Sequence, residues 1–546
     1  MYPLIRKMGH FTAKTGRYTN CFLLIGLLWL AGCQTAPPTT APVGTPTSMA
    51  TAVVQAATAT ASQTPTPAPT ATATPTLTPT ITPTPTPLPL AQLIVPEQWA
   101  VAAATAVDQR LTEGSDWRWE VVVGAKDLEP DNLPAGTVWL TTTAGDHLVA
   151  ERPLALAIPF ITAWERTSLA EAQTILADGH SFVRVIDYEM MAPVDKALRV
   201  DGRFPHDAGY SLQERWYLAG DSAAIAEIMP FLSLELAPKP LIHLTAVGDI
   251  MLNRSLGYNL ARGDRLYPFT GVVEALQAAD ITVGNLECAL GDSGEPAPKA
   301  YPFRAPPEAA ESLALAGFDI LSLANNHAMD YGPEALLQGI GLLEAQNIAT
   351  IGAGANSQAA RAPHIMTVHG IRLAFLGYVN VPVEWRGFDT RVWEATADSP
   401  GLAWGDPEII TEDVAAVRPD VDLVIVILHS GYEYIAEPSP DQVAAARAAV
   451  AAGADLVIGH HAHILQGIEF YQGKVIAYGL GNFAFDIDGD PETMLLNVWL
   501  DRRGVRQLEI VPAIVRFGGQ PRLAHEWEAP AIRQQVYNLT RALNPR

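Results

Sequence analysis

The chain has 546 residues, 49% of them hydrophobic, which is enough for two or more domains with sizeable cores. Its formal net charge of −23 argues against nucleic acid as a partner, because an acidic surface repels phosphate groups. An anionic substrate would therefore need local positive charge, which a bound metal ion can supply.

The first 33 residues are predicted to be an export signal. Basic residues precede an apolar stretch, residues 21–32, which is shorter than the roughly 20 residues that span a bilayer. The stretch ends in Leu30-Ala31-Gly32-Cys33, which resembles the lipobox of bacterial lipoproteins. That resemblance implies cleavage before Cys33, acylation of its thiol, and an extracytoplasmic protein anchored to the cell membrane by lipid. An uncleaved signal anchor is the alternative.

Residues 34–90 are predicted to be a disordered linker. Thr, Pro and Ala dominate this segment, and no charged residue occurs between Arg17 and Glu97. Proline at alternate positions stops both helix and sheet and favours polyproline II. At about 3.1 Å per residue, such a stalk would hold the folded part on the order of 100 Å from the membrane.

Residues 91–236 are predicted to form a small α/β domain of unknown role. Strand-like runs lie at residues 119–123, 137–142, 154–158 and 181–186, and helical runs at 169–176 and 223–232. No metal-binding spacing occurs in this part of the sequence.

Residues 237–520 are predicted to be a layered α/β domain that carries the functional site. Each of five apolar, strand-like runs is followed directly by a polar cluster. The runs are residues 244–247, 281–283, 320–324, 423–428 and 456–458. Parallel strands of an open α/β sheet end at one edge, so these clusters are expected to converge there.

Capping residues in the sequence predict where helices in this domain begin and end. Ser439-Pro440, residues 441–452 and then Gly453 follow the order N-cap, first-turn proline and C-terminal glycine. Pro333 opens a second predicted helix, residues 334–346. Residues 521–546 are predicted to be a C-terminal tail with a short helix near residues 532–543.

The first two clusters offer carboxylate and amide ligands. Asp249 comes directly after a strand and a glycine, where it can bind a metal or simply cap a helix. Asn285 and Glu287 flank Leu286, so they share one face if the strand continues, and a carboxylate there could bridge two metals. A solvated loop is the alternative for this pair.

The third and fourth clusters add amides and imidazoles. Asn326 and His327 end an apolar run, and Asp330 is placed to orient His327 from behind. His429 ends another apolar run as a further candidate ligand, and Glu433 could position it or contact substrate. An asparagine-stabilised turn and a hydrogen-bonded core histidine are the alternatives.

His461 and His463 are the most specific signal in the chain. In an extended segment, their alternation sends both imidazoles to the same face, whereas His460 faces the other way as a structural residue. With the other clusters, the pair predicts a site for one or two divalent ions, of Mn, Fe, Zn or Ca.

The order of these motifs resembles the calcineurin-like metallophosphoesterase superfamily, and more closely the CapA family of poly-γ-glutamate capsule-synthesis proteins. The resemblance covers essentially all of the second domain. It rests on Gly248-Asp249-Ile250-Met251, Gly284-Asn285-Leu286-Glu287, Asn325-Asn326-His327, His429-Ser430-Gly431-Tyr432-Glu433, Gly459-His460-His461-Ala462-His463 and Tyr478-Gly479-Leu480-Gly481-Asn482-Phe483.

The resemblance implies roles for individual residues. Asp249 and His463 would bind one metal, and a second metal would have the ligands Asn326, His429 and His461. Glu287 or Asn285 would bridge the two, and His327 would be the general acid. The chain departs from the superfamily at Met251, where a histidine is usual, and at Asn285, where a carboxylate is usual. Both departures put phosphatase activity in doubt.

Three functions are compatible with the sequence. The first is a CapA-like hydrolase or transferase that acts in the synthesis, export or anchoring of an acidic capsule polymer, together with membrane proteins that synthesise it. The second is a metallophosphoesterase that acts on small phosphate esters outside the membrane. The third is a non-catalytic scaffold that binds polymer.

Overall fold

The computed structural model describes residues 86–124, 134–143, 145, 147–384, 386–486 and 489–545. The predicted signal, Cys33 and nearly all of the predicted linker lie outside these residues. Residues 85–546 form one compact unit. Within the described ranges, no helix is both long and apolar enough to cross a membrane.

The N-terminal part is built on a mixed seven-stranded sheet. Its elements are β1 (Leu90–Val95), α1 (Ala100–Glu113), β2 (Arg118–Val123), β3 (Thr137–Thr141), β4 (His147–Pro159), β5 (Arg166–Thr167), α2 (Leu169–Asp178), β6 (Arg184–Asp187), β7 (Asp195–Ala197), β8 (Arg199–Val200), β9 (Gln213–Gly220) and α3 (Ser222–Leu236). The strands of the sheet have the order β2-β1-β3-β9-β4-β6, with β7 beside β4. Helices α1 and α3 pack together over one face of it, around Leu93, Ala103 and Ile225.

The second part contains two larger sheets. The first elements after α3 are β10 (Ile242–Met251), α4 (Arg254–Ala261), α5 (Val273–Gln277), β11 (Ile281–Leu286), β12 (Ala289–Leu290), β13 (Arg304–Ala305), α6 (Ala309–Ala316), β14 (Ile320–Ser322), α7 (Gly332–Glu344), β15 (Ala349–Ile351), β16 (Ala353–Gly354), α8 (Ser357–Ala360), β17 (His364–Val368) and β18 (Ile371–Asn380). They are followed by β19 (Gly401–Leu402), α9 (Pro407–Val417), β20 (Leu423–Ser430), α10 (Pro440–Ala452), β21 (Leu456–His460), β22 (Ile468–Tyr471), β23 (Lys474–Ala477), β24 (Asn482–Phe485), β25 (Glu492–Asp501), β26 (Gly504–Val515), β27 (Pro521–Leu523) and α11 (Ala529–Leu543).

The two sheets stack face to face with helices outside, which confirms the predicted layered α/β fold. One sheet has the order β15-β14-β11-β10-β25-β26-β27 with β24 beside β10, and the other has the order β17-β18-β20-β21-β23-β22. Leu244 and Val283 of the first sheet share an inner core with Ile425 and Ile458 of the second. Helices α4, α6 and α7 contribute to the core on the outer face of the first sheet, and α9 and α10 to that of the second.

The expectation of one common sheet is wrong. The first three apolar runs form β10, β11 and β14 of one sheet, whereas the last two form β20 and β21 of the other. Both sets are internally parallel, so each sheet has its own carboxyl edge. The polar clusters therefore meet across two stacked sheets.

Local capping explains the helices that the sequence predicts well. The Ser439 side chain accepts from the Gln442 backbone N–H, and the Gln442 side chain accepts from the Ser439 N–H, which is a complete capping box. Helix α10 then ends at Ala452 and is capped by Gly453, whose φ of 119° suits glycine. Helix α7 starts at Gly332, with Pro333 in its first turn.

The N-terminal part packs against the C-terminal helix. The Lys196 ammonium lies 2.9 Å from the Tyr537 hydroxyl, and Arg199 pairs with Glu509. Phe160 inserts into the inner core of the second part and meets the Tyr537 ring edge-on at 5.5 Å. Residues 521–546, predicted as a tail, thus supply β27 and a helix that is buried along one side.

Candidate metal centre

Asp249 lies at the site because the backbone of β10 closely approaches the segment that leads into β24. It pairs in register with Asn285 of β11 and with Asn482 of β24. Its backbone N–H donates to the Gly481 carbonyl at 3.0 Å. Gly248 makes this possible, because a Cβ at that position would lie 1.9 Å from the Gly481 oxygen.

The Asp249 carboxylate is buried and surrounded by donors. Oδ1 accepts from the Asn285 amide at 2.8 Å and lies 3.0 Å from His460 Nδ1. Oδ2 accepts from the His461 backbone N–H at 3.1 Å and lies 3.5 Å from His463 Nδ1. Burial alone would raise the pKa of Asp249, but the adjacent His460, His463 and His429 imidazoles hold that pKa well below its usual value.

Glu287 is the most unusual side chain in the site. It is 0% exposed, and neither carboxylate oxygen has a hydrogen-bond partner among the described residues. Oε1 lies 3.5 Å from His429 Nε2 and 3.7 Å from His463 Nε2. Burial, with Asp249 and Glu433 nearby, raises the pKa of Glu287 well above its usual value. A buried carboxyl without a partner fits a position that a cation would occupy.

The second sheet supplies imidazoles. His429, at the end of β20, lies in register with His460 of β21, and its Nε2 is 2.8 Å from Asn326 Oδ1. His461 Nδ1 is buried and has no hydrogen-bond partner within the ranges that the structure describes. Burial and the neighbouring imidazoles lower the pKa of His429 well below its usual value and that of His461 to about 3. Both rings are therefore neutral near pH 7, the form that binds metal.

The expected extended geometry of the His-x-His pair is wrong. Strand β21 ends at His460, and the next residues turn away from the sheet. His461 has a φ of 89° and His463 a φ of 57°, both in the left-handed region that few side chains adopt. Their rings still face one site, with centroids 5.9 Å apart.

Three overlapping groups of side chains have the geometry to hold a cation. In each group, the candidate ligand atoms all lie within 4.8 Å of one another. The groups are Glu287 with His429 and His461, Asp249 with Glu287 and His463, and Glu433 with His461 and His463. Glu287 belongs to two of them, which is the position that a bridging ligand requires, and Glu433 is the exposed member.

The two asparagines make different contacts. Asn285 donates to Asp249, and its own Oδ1 accepts from the Asn325 amide at 3.0 Å. Its oxygen is thus engaged, which leaves Glu287 as the better bridging candidate. Asn326 turns its Oδ1 toward His429 at 2.8 Å.

His327 lies beside the cluster, with its orientation fixed from behind. Its Nδ1 is 2.6 Å from Asp330 Oδ2, and the same oxygen accepts from the Phe303 backbone N–H at 2.6 Å. The Phe303 ring packs on the imidazole with centroids 4.5 Å apart. Lys299 Nζ lies 3.0 Å from the other Asp330 oxygen. With Nδ1 engaged, Nε2 is the atom left for a substrate.

A cleft of about 660 Å³ opens beside these residues. His327, Glu433 and His463 form part of its wall, so a ligand bound in the cleft can reach the cluster. The remaining lining residues are Arg254, Pro298, Lys299, Ala300, Tyr301, Phe303, Glu384, Arg386, Phe388, Tyr434 and Phe485. Three of them are basic, although the chain as a whole is strongly acidic.

The structure also shows the surroundings of Met251 and of two residues whose roles the sequence does not predict. Met251 is fully buried in the core with Phe485 and Phe303, so it is a packing residue. Asn482, within a quoted motif but without a predicted role, contacts His463 Nδ1 at 2.9 Å. The sequence does not predict a role for Lys299, because a lone lysine in a proline-containing loop carries no sequence signal.

Comparison with known proteins identifies similar chains. The family described as "Bacterial capsule synthesis protein PGA_cap" matches residues 243–487, a range that includes every predicted metal ligand. "Capsule biosynthesis protein CapA" of Bacillus anthracis is 33% identical over 287 residues, which is 51% of this chain and 68% of the relative. "PGA biosynthesis protein CapA" of Bacillus subtilis is 33% identical over 271 residues, 49% of this chain and 70% of the relative.

The chain is also similar to a mycobacterial protein over a shorter stretch and to two solved structures. A probable polyglutamine synthesis accessory protein of Mycobacterium tuberculosis is 35% identical over 222 residues, 39% of this chain and 57% of the relative. Among solved structures, a hypothetical protein from Thermus thermophilus aligns with a TM-score of 0.33 and 13% identity, over 50% of this chain and 98% of the other. A putative 5′-nucleotidase from Staphylococcus aureus aligns with a TM-score of 0.31 and 14% identity, over 55% and 58%.

Proposed function

Because this chain belongs to the CapA family of bacterial capsule synthesis proteins, we propose that it is a metal-dependent hydrolase or transferase acting on an acidic capsule polymer such as poly-γ-glutamate. The observation that carries the catalytic part is Glu287, a buried carboxyl set among imidazoles and without a hydrogen-bond partner in the described part of the chain. Such a site is costly unless a cation completes it.

The ligand set suits one or two divalent ions. Glu287, His429 and His461 would hold one ion, with Asn326 beside them, and Asp249, Glu287 and His463 would hold the other. Imidazole and carboxylate ligands are compatible with Mn, Fe or Zn, and the oxygen ligands also with Ca. A bound ion would supply Lewis acidity and positive charge next to the cleft.

The protein's own residues supply positioning and a proton. In this proposal Asp330 holds His327 through Nδ1, so that Nε2 donates a proton to the leaving group. Glu433, on the exposed side of the cluster, contacts the substrate or completes the ligand set. The Arg254 guanidinium in the cleft wall favours an anionic substrate, whereas the Lys299 ammonium is already paired with Asp330 and Glu384.

We further propose that the protein works outside the cytoplasm on a lipid anchor. The support is sequence alone: Leu30-Ala31-Gly32-Cys33, followed by the Thr/Pro-rich segment. In that position it would act beside the membrane proteins that synthesise the polymer. The Cys33→Ala variant should lose incorporation of labelled fatty acid and leave the membrane fraction. Labelling that persists in this variant would exclude Cys33 as the lipid site.

Elemental analysis of the purified protein tests the metal site. The wild type should hold one to two equivalents of transition metal or calcium, and the His461→Ala/His463→Ala variant clearly less. The matched control is His364→Ala, since His364 lies in β17, away from the cluster. Equal metal content in all three proteins would reject the assignment. A wild type without metal, indifferent to chelator, would favour a scaffold.

Activity assays separate the two enzymatic alternatives. Release or transfer of γ-linked glutamate polymer, lost in His327→Ala with metal content retained, would support the capsule function. Turnover of a generic phosphodiester with no effect on polymer would instead support a phosphoesterase.

A further inference from the structure

Arg254 occupies a position that its local structure does not favour. It is the first residue of α4, and its φ is 49°, in the left-handed region. A cation at this end of a helix also opposes the helix dipole. Arg254 lines the cleft, and both its backbone conformation and its charge are locally unfavourable. This combination indicates that the side chain has a functional role.

The guanidinium is held against the cleft wall beside His327. Its Nη1 donates to the backbone carbonyl of Asp486 at 2.8 Å. Its central carbon lies 5.2 Å from the Phe303 ring centroid, and that ring packs on His327. The charged group and the proposed proton donor therefore lie against the same aromatic ring.

The guanidinium keeps donors available for a ligand. Some other arginines of this part form ion pairs, as Arg265 does with Glu311 at 2.7 Å and Arg522 with Glu528 at 2.6 Å. Arg254 has no carboxylate partner among the described residues, and Asp486 Oδ2 instead accepts from the Ser255 backbone N–H. An arginine has five N–H donors in a planar fork that matches a carboxylate.

We propose that Arg254 is a specificity-determining residue that binds a carboxylate of the acidic polymer, on a repeat unit beside the bond that reacts. The inference rests on the proposed function and adds to it the group that reads the polymer's charge. A carboxylate of the polymer and a free phosphate share the same recognition chemistry, and the test below separates them.

Calorimetric titration of the purified full chain tests this role. The ligands are an octamer of γ-linked glutamate, its neutral amide analogue, and inorganic phosphate. The variants are Arg254→Met, Arg254→Lys and Arg254→Asn, and asparagine tolerates the left-handed conformation so that folding is preserved. Arg262→Met is the matched control, because Arg262 caps the other end of α4, where it contacts Tyr258.

The wild type should bind the acidic octamer and not the neutral analogue. Arg254→Met and Arg254→Asn should each weaken octamer binding about 10-fold, as expected when a charge-assisted hydrogen bond is lost. Arg254→Lys should fall between, and Arg262→Met should match the wild type. All variants should keep wild-type metal content, which separates this inference from the metal assignment.

Unchanged octamer affinity in both Arg254→Met and Arg254→Asn would overturn the inference. So would a wild type that binds phosphate through Arg254 and fails to bind the octamer, since the polymer would then not be the ligand.

Discussion

Lys299 Nζ lies 3.0 Å from Oδ1 of Asp330, the carboxylate whose other oxygen contacts His327. The lysine side chain is 1% exposed and Asp330 is 0% exposed. Lys299 also lies 2.8 Å from Glu384 Oε1 and donates to the Asn326 carbonyl at 2.5 Å. One buried ammonium thus contacts the carboxylate that orients His327, the backbone of the candidate ligand Asn326, and Glu384 in the cleft wall.

Replacing Lys299 with methionine should cost stability. Asp330 would stay buried without its cation, and breaking a buried pair costs about 3 kcal/mol of unfolding free energy. Urea unfolding followed by circular dichroism measures the change. His327 should also lose its fixed orientation, so turnover should fall with the metal content unchanged.

Lys474→Met is the matched control for that experiment. Lys474 lies 2.5 Å from Asp455 but is 31% exposed, and Asp455 keeps Arg418 at 2.6 Å as a second partner. Its loss should cost about 1 kcal/mol or less. Equal losses in the two variants would contradict a special role for the buried pair.

Gly248→Ala should destabilise the fold at the site itself. The new Cβ would meet the Gly481 carbonyl oxygen at 1.9 Å, so β10 and β24 would have to separate. Overpacking of this kind costs about 3 kcal/mol, measurable by thermal unfolding, and it should displace Asp249 and lower metal content.

Gly341→Ala supplies the contrast for Gly248→Ala. Gly341 lies in α7, and a Cβ there would have no atom within 4 Å. Alanine should stabilise the helix by about 0.5–1 kcal/mol. A Gly248→Ala variant as stable as this one would show that the two strands can move apart freely.

The sequence predicts the strands and some helices because their signals are local. The apolar run before His429 becomes β20 and the run before His461 becomes β21, with every residue of both strands buried. The capping residues around α10 likewise predict both of its ends. The strand expected at residues 181–186 shifts to Arg184–Asp187, since turns and edges carry weaker signals.

What the sequence does not reveal depends on contacts between distant segments. Periodicity does not determine which strands pair, so the sequence predicts one sheet where the structure has two stacked sheets. The left-handed backbone at His461 and His463 is set by the turn after β21, and not by residue type. Lys299 finds Asp330 and Glu384 only after three loops have met.

Glu287→Gln should separate metal binding from folding. Without metal, burial favours the protonated carboxyl, which glutamine resembles in shape, so the metal-free variant should be as stable as the wild type. Added Mn²⁺ or Zn²⁺ should stabilise the wild type by about 2.7 kcal/mol at a concentration 100-fold above Kd. Calorimetry should detect little of that gain in the variant.

Glu334→Gln serves as the control for Glu287→Gln, because Glu334 lies in the first turn of α7, on the surface. Added metal should stabilise the Glu334→Gln variant by as much free energy of unfolding as it does the wild type. A Glu287→Gln variant that gains as much as the wild type would remove Glu287 from the ligand set.

His206 lies where the N-terminal part contacts β25 of the first larger sheet. Its protonation should make the free energy of unfolding depend on pH. Its ring packs on Trp499 with centroids 4.5 Å apart, and its Nδ1 lies 2.9 Å from the Tyr188 hydroxyl. Burial lowers the pKa of His206 from 6.5 to about 4, with Asp207 opposing and His243 and Arg199 adding to the shift. The folded protein therefore keeps this ring neutral where the unfolded chain would protonate it.

The sign follows from that difference. As pH falls below 6.5 the unfolded state takes up the proton first, so unfolding becomes easier until about pH 4, where the folded state is protonated too. The loss has an upper limit of about 3 kcal/mol. In urea unfolding across this range, His206→Gln should show a shallower decline than the wild type. His180→Gln, at an exposed histidine of the same part, should follow the wild type. A His206→Gln profile parallel to the wild type would assign the acid sensitivity to other groups.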